Sequence, residues 1–142
     1  GCGPDKLHQD SQAGWWKYSK NFISIVIPVE KSTKLNSCLE FDISGNNCKK
    51  LLTKKMSALP LQKLKKPKFE KFELNIGDVV FFNSYAPHRS KSNFSNKGRS
   101  QIYLTYNKKK DGNFREKYFR EKRISFPPNS ERLKNKKYVY QV

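Results

Sequence analysis

Four residues in this sequence are spaced so that they could do chemistry together. His8-Gln9-Asp10 sets an imidazole and a carboxylate two residues apart, His88 is the only other histidine, and Arg99 stands eleven residues beyond it. On a strand, side chains two apart point to the same face, so His8 and Asp10 can converge on one ion while Gln9 points away. Imidazole plus carboxylate is a mixed N,O donor pair. A histidine from elsewhere in the chain turns it into a two-histidine, one-carboxylate set that leaves three coordination positions open, the arrangement of non-haem Fe(II) oxygenases. A histidine with an aspartate two residues on arises by chance in roughly 5% of cases at ordinary composition. The weight therefore rests on both histidines falling in the pattern, each beside a predicted strand, with an arginine at the head of a further one.

The elements that must position these groups follow from patterning. Residues 6–12 alternate and read as a short strand, which would place Gln12 on the same face as His8 and Asp10. A dense aromatic cluster follows at Trp15, Trp16 and Tyr18. Residues 21–29 form the clearest strand of the first half, and 37–43 alternate as another. Residues 48–64 keep only a rough apolar period, interrupted by Pro60, and are expected as a short helix plus loop. Residues 69–76 alternate with Phe72, Leu74 and Ile76 on one face, then turn at Gly77-Asp78 into the stretch 77–107. There a buried strand at 79–82 leads to His88, and a polar loop leads to Arg99 and a strand at 101–106, so that His88 and Arg99 fall on what reads as one hairpin. Asn113 is placed to cap a short helix over 113–122, and residues 127–142 read as a mostly polar tail. Short strands with turn signals between them predict a single all-β domain over 1–142, a sandwich or barrel with short helices in its loops.

Composition narrows the partners. The chain has 142 residues and a formal net charge of +18, which suits an anionic small molecule or a polyanion. The lysines spread as pairs over nearly every loop, with no basic stripe and no nucleic-acid motif, so nucleic acid is not the expected partner. No apolar run of 18 residues is present, so no membrane span is expected. Cys2, Cys38 and Cys48 are odd in number and lack paired spacing, which argues against structural zinc or a disulfide framework and for a reducing, cytoplasmic setting. The polar start and the early position of His8 read as the C-terminal part of a longer protein.

At this point the residues resemble a known family. His8-x-Asp10, a distal His88, Ser90 two residues later and Arg99 eleven later look like the phytanoyl-CoA dioxygenase superfamily of Fe(II)/2-oxoglutarate oxygenases. His8-Gln9-Asp10-Ser11-Gln12-Ala13-Gly14-Trp15, Cys38-Leu39-Glu40, Phe82-Asn83-Ser84-Tyr85-Ala86-Pro87-His88-Arg89-Ser90 and Leu104-Thr105-Tyr106-Asn107 are similar to the branch that hydroxylates 2-aminoethylphosphonate and its N-methylated relatives. Arg115-Glu116-Lys117-Tyr118-Phe119 and Phe126-Pro127-Pro128 fit that branch too. Two features depart from the family: the hundred or so residues that members carry before the His-x-Asp motif, and a Gly-Ser-His-like turn where this chain has Ser44-Gly45-Asn46-Asn47.

The resemblance implies a double-stranded β-helix (jelly-roll, cupin-like) fold, N-terminally truncated, which would leave a sheet edge or an apolar face exposed. It implies Fe(II) held by His8, Asp10 and His88, with 2-oxoglutarate and O2 as co-substrates and ascorbate as a supporting reductant. The far carboxylate of 2-oxoglutarate would take a bidentate fork from Arg99 and a hydroxyl from Ser90. Because relatives that halogenate lack the carboxylate ligand, Asp10 favours hydroxylation. For substrate, Gln12 and Trp15 are the candidates, Trp15 as one wall of a cage around an ammonium group. The competing functions are an inactive truncated barrel with a binding or structural role, and an oxygenase acting on acyl-CoA or nucleic acid.

Overall fold

In a computed structural model the protein is described over residues 4–20, 22–55 and 57–138. Cys2 and Met56, and the first residue of the strand expected at 21–29, lie outside the described residues. Among these residues six strands form two antiparallel sheets: β1 (Phe22–Pro28), β2 (Glu40–Asp42), β3 (Phe69–Lys71), β4 (Val80–Asn83), β5 (His88–Arg89) and β6 (Gln101–Asn107). One sheet has the order β4-β1-β6 and the other β3-β2-β5. A single α-helix among the described residues, α1 (Arg115–Ser125), follows the last strand. The architecture is the double-stranded β-helix. No described helix is long and apolar enough to cross a membrane.

The core lies between the sheets. β1 alternates buried and exposed positions, as a strand with one face inward must. Its Val26 packs with Phe41 of the second sheet, with Leu39 just before it, and with Leu74 and Phe82. The β2–β5 register is fixed by a cross-strand pair, Glu40 opposite Arg89, in which Arg89 Nε donates to Glu40 Oε2 at 2.9 Å. That register sets His88 opposite Phe41.

Several expectations need correction. Residues 6–12 are not a continuous strand: only His8 forms a bridge, with His88, and Asp10–Ala13 is a 3-10 helix. The cause is side-chain competition for backbone groups. Gln12 Oε1 accepts from Gln9 N at 2.8 Å, closing the turn. Gln9 is fully buried and gives its amide to the carbonyls of Asn47, Lys50 and Tyr85 while accepting from Leu52 N. His88 and Arg99 do not share a hairpin either, because β5 pairs with β2 whereas β6 pairs with β1. The polar loop between them, closed on Asn93 (Nδ2 to Lys97 O, 2.7 Å), carries the chain from one sheet to the other.

The 79–82 run is buried on one face only: Phe82 is inside, and Phe81 is 66% exposed. In the 69–76 run, Phe72 and Leu74 reach the core, while Ile76 sits exposed before the turn. The segment 48–64 holds no α-helix among its described residues, only a 3-10 turn at Leu61–Lys63. Helix α1 begins two residues later than expected, and Asn113 Oδ1 still accepts from Arg115 N at 3.3 Å.

One face of the β4-β1-β6 sheet is apolar and open. Ile23, Ile25 and Ile27 stand opposite Tyr106, Leu104 and Ile102 in register, and Phe81 stands opposite Ile25. Ile102, Leu104 and Tyr106 are 47%, 36% and 57% exposed.

The irregular segment after β2 hangs on Asp42. Its carboxylate accepts from Ser44 N (3.0 Å), Lys68 N (2.9 Å) and Asn47 Nδ2 (2.6 Å). Burial works to raise its pKa, and these donors outweigh it and hold the carboxyl below its ordinary range. The resulting stability is present above the unfolded carboxylate value of about 4 and lost as pH falls through the lower folded one. Asp42→Asn should cost about 1–3 kcal/mol at pH 7. In denaturant titrations the gap between wild type and variant should begin to narrow as the pH falls below about 4 and close below the lower folded value; a gap constant with pH would rule out the ionised carboxylate as the anchor.

Candidate active site

The site is built from a backbone contact. His8 N donates to His88 O, and His88 N donates to His8 O, both at 3.0 Å. A reciprocal pair of this kind places both side chains on the same side of the ladder, and the two rings lie 4.3 Å apart. Each ring uses Nδ1 on a carbonyl: His8 on Lys6 O at 2.6 Å and His88 on Ala86 O at 3.0 Å. A carbonyl can only accept, so Nδ1 carries the proton and Nε2 of a neutral ring presents a lone pair.

Asp10 enters from the 3-10 turn. Its Oδ1 lies 3.4 Å from His8 Nε2 and 3.4 Å from His88 Nε2. Three electron-rich atoms thus face one point, and the potential donor atoms all lie within 4.8 Å of one another. Such an arrangement requires a cation between them, a proton or a metal, and the donor set suits a divalent transition metal. The other carboxylate oxygen is held by Ser24 Oγ, a buried hydroxyl on β1.

The electrostatics agree with this geometry. Burial pushes the His88 imidazole below its ordinary range, and the Asp10 charge only partly offsets it. Burial also acts to lower His8, but the hydrogen bond to Asp10, the Lys6 carbonyl and the charges of Asp10 and Asp5 leave it raised. For Asp10, burial acts upward and is outweighed by the His8 hydrogen bond, the charge of His88 and Ser24, so its pKa is lowered. Phe41 and Phe82 wall His88 off at centroid distances of 5.3 and 5.0 Å.

Arg99 and Ser90 meet although they lie in different parts of the sheet system. Arg99 Nη2 donates to Ser90 Oγ at 3.1 Å, and Nη1 donates to Gln101 Oε1 at 3.0 Å. Only 7% of the Arg99 side chain is exposed. Tyr103 donates its hydroxyl to Gln101 Oε1 at 3.0 Å. Burial and the Asp5 charge push that phenol up to about 12. Arg99, Gln101 and Tyr103 alternate along the strand, so all three face this cradle.

A cavity of ≈ 620 Å³ opens beside the three ligands; His8, Asp10, Tyr103 and Trp15 line it together with Arg115 and Lys122 of α1. Trp15 is stacked on Tyr118 at 3.8 Å, which fixes α1 against the site and leaves the indole as a wall. Gln12 is not at the cavity. It is buried, and its amide donates to the carbonyls of Lys55 and Ser57 at 2.7 and 3.0 Å, because the 3-10 turn rotates it off the His8/Asp10 side.

Residues 1–101 match the phytanoyl-CoA dioxygenase family. The chain belongs to that family. It is 36% identical over 92% of its length to a 2-aminoethylphosphonate dioxygenase of the uncultured bacterium HF130_AEPn_1, and 34% identical over 89% to a methylphosphonate hydroxylase of Gimesia maris. It spans about half the length of these curated relatives, 50% and 48% respectively. Solved structures sharing the fold include AviO1 from Streptomyces viridochromogenes (18% identity, TM-score 0.57, 75% of this chain and 44% of that one). EvdO2 from Micromonospora carbonacea, in complex with 2-oxoglutarate, has 16% identity and a TM-score of 0.55 over 72% of this chain and 44% of its own.

Ser24, Gln101, Tyr103 and Asp5 escaped the sequence reading. A serine at an inward position of the apolar run Phe22-Ile23-Ser24-Ile25-Val26 was the available signal for the first. The alternation Arg99-x-Gln101-x-Tyr103 was the signal for the next two. We expect His88→Ala or Asp10→Ala to abolish binding of one equivalent of Co(II), read from its visible absorption. Ser24→Ala should weaken it about tenfold, the lower end for loss of a group that orients a ligand. Unchanged Co(II) affinity in His88→Ala would show that the ion sits elsewhere.

Proposed function

We propose that the protein is an Fe(II)- and 2-oxoglutarate-dependent hydroxylase whose metal ligands are His8, Asp10 and His88, acting on a small aminoalkylphosphonate at the carbon next to phosphorus. The observation that carries this reading is the convergence of two Nε2 lone pairs and a carboxylate oxygen on one point. Two residues beyond the ligand His88, the Ser90 hydroxyl holds the buried guanidinium of Arg99. When bound, the iron supplies activation of dioxygen, coupled to oxidative decarboxylation of the 2-oxo acid to succinate.

The chain's own residues do the positioning. The carbonyls of Lys6 and Ala86 fix both imidazoles in the Nδ1–H tautomer, which keeps Nε2 available as a ligand. Ser24 fixes the carboxylate. Arg99 offers a fork and Ser90 a hydroxyl to the far carboxylate of 2-oxoglutarate, as a directed contact in a dry place. Phe41 and Phe82 keep water from the buried side of His88.

The substrate assignment is supported by the two phosphonate-acting relatives and by the cavity's charge. Asp10 is the sole acid among its described lining residues, while Arg115 and Lys122 supply positive charge. Thr105 and Asn107 add polar groups in place of Gln12. The net charge of +18 would steer a phosphonate dianion inward.

The test is succinate release with Fe(II), ascorbate and 2-oxoglutarate, comparing 2-aminoethylphosphonate, its N-trimethyl form and phytanoyl-CoA. Coupled turnover with a phosphonate is expected; turnover with the acyl thioester alone would overturn the substrate assignment and leave the metal site standing. In the same assay Arg99→Ala should raise the KM for 2-oxoglutarate at least tenfold, because a desolvated carboxylate loses its partner. Replacing Lys108, Lys109 and Lys110 together should change it less than twofold, since exposed charges at a distance are screened. Equal effects would reduce Arg99 to part of a general positive field.

A further inference from the structure

A protein carboxylate already stands at the place assigned to the co-substrate's far end. Ser90 Oγ donates to Asp5 Oδ2 at 3.0 Å, and Arg99 Nη2 lies 3.6 Å from the same oxygen. These are the hydroxyl and the guanidinium that the proposed function gives to 2-oxoglutarate. Arg99 is nevertheless only partly used. Its Nε and the neighbouring Gln101 Nε2 are buried without a hydrogen-bond partner among the described residues. A desolvated donor left unmade is costly, so the cradle has capacity for a better-seated carboxylate than the one it holds.

The two halves of Asp5 are held differently. Its backbone is pinned: Ser90 N donates to Asp5 O at 3.0 Å, and Asp5 N donates to Ser90 Oγ at 3.1 Å. The His8–His88 pair continues this ladder three residues on. The side chain is 48% exposed, so solvent is open to it. A rotation about the Asp5 side-chain bonds would vacate Arg99 and Ser90 without moving the backbone that carries His8.

We propose that Asp5 is an internal competitor for 2-oxoglutarate: its carboxylate keeps Arg99 and Ser90 in place until the co-substrate's far carboxylate displaces it into solvent, and it thereby sets co-substrate affinity. The proposal rests on the reading of Arg99 and Ser90 given above. A half-exposed ion pair is a weak competitor, so its removal should tighten 2-oxoglutarate about three- to tenfold, corresponding to roughly 1 kcal/mol. The competition concerns only the far carboxylate. Pyruvate has the same 2-oxo acid end and no far carboxylate, so its binding should ignore Asp5.

The experiment is calorimetric titration of the full chain loaded with Mn(II), using 2-oxoglutarate and pyruvate against wild type and Asp5→Asn. Tighter 2-oxoglutarate with unchanged pyruvate is expected. No change, weaker 2-oxoglutarate, or equal tightening of both acids would overturn the proposal, the last because it would place the effect at the metal. If wild type and variant both bind Mn(II) but neither binds 2-oxoglutarate, the co-substrate reading itself falls and the competitor with it. A wild type that binds alongside an unaltered variant removes Asp5 alone.

Discussion

The reciprocal backbone pair between His8 and His88 is the constraint on which the site depends. Two hydrogen bonds at 3.0 Å join residues eighty positions apart in sequence, and they do so at the ligands themselves. They bring the two imidazoles to one side at 4.3 Å, where Asp10 meets both. The pair is too short to be a strand, so neighbours must hold it. Ser90 N on Asp5 O extends it in one direction, and Ser11 N on Ser84 O closes it in the other. The ligand geometry is thus a property of a four-rung ladder between the start of the chain and the end of β4 and β5.

What supports that ladder from behind is polar. Gln9 sits between the two ligands in sequence and is fully buried, with its amide spent on three carbonyls and its oxygen on Leu52 N. It ties the irregular segment after β2 to the back of the site, and Asp42 ties the same segment to the second sheet. A segment with no α-helix among its described residues is therefore ordered by side chains reaching into its backbone. Fully satisfied buried networks of this sort specify one arrangement, because each alternative leaves a donor unmade.

Much of this was legible in the sequence, and the limits are physical. Histidine-x-aspartate, the distal histidine and the serine and arginine after it are local spacings, and they stand together in space. The strands expected at 21–29 and 101–106 are dense in β-branched and aromatic residues, and they form as β1 (Phe22–Pro28) and β6 (Gln101–Asn107). The failures share one cause: an element was judged by its own pattern when distant groups decided it. Gln9 and Gln12 read as strand residues, Gln9 pointing away and Gln12 as a substrate contact, yet their amides meet the backbone carbonyls of Asn47, Lys50, Lys55 and Ser57, and the chain turns into a 3-10 helix. His88 and Arg99 read as a hairpin because they flank one loop, but β1 pairs with β6 and draws Arg99's strand into the other sheet. Asp5 carried no signal at all, since its partners are eighty-five residues away and beyond.

The open face of the β4-β1-β6 sheet has a consequence for handling the protein. Aliphatic and aromatic side chains are exposed there beside edge strands that pair on one side only among the described residues, a combination that favours self-association through added strands. What opposes it is long-range repulsion between molecules that each carry +18. That repulsion reaches only about 10 Å at 0.1 M ionic strength and shortens further with salt, whereas the attraction between apolar faces does not weaken with salt. Colloidal stability is therefore highest in dilute buffer and falls as salt is raised, the reverse of the salting-in expected of a protein held together by its charges.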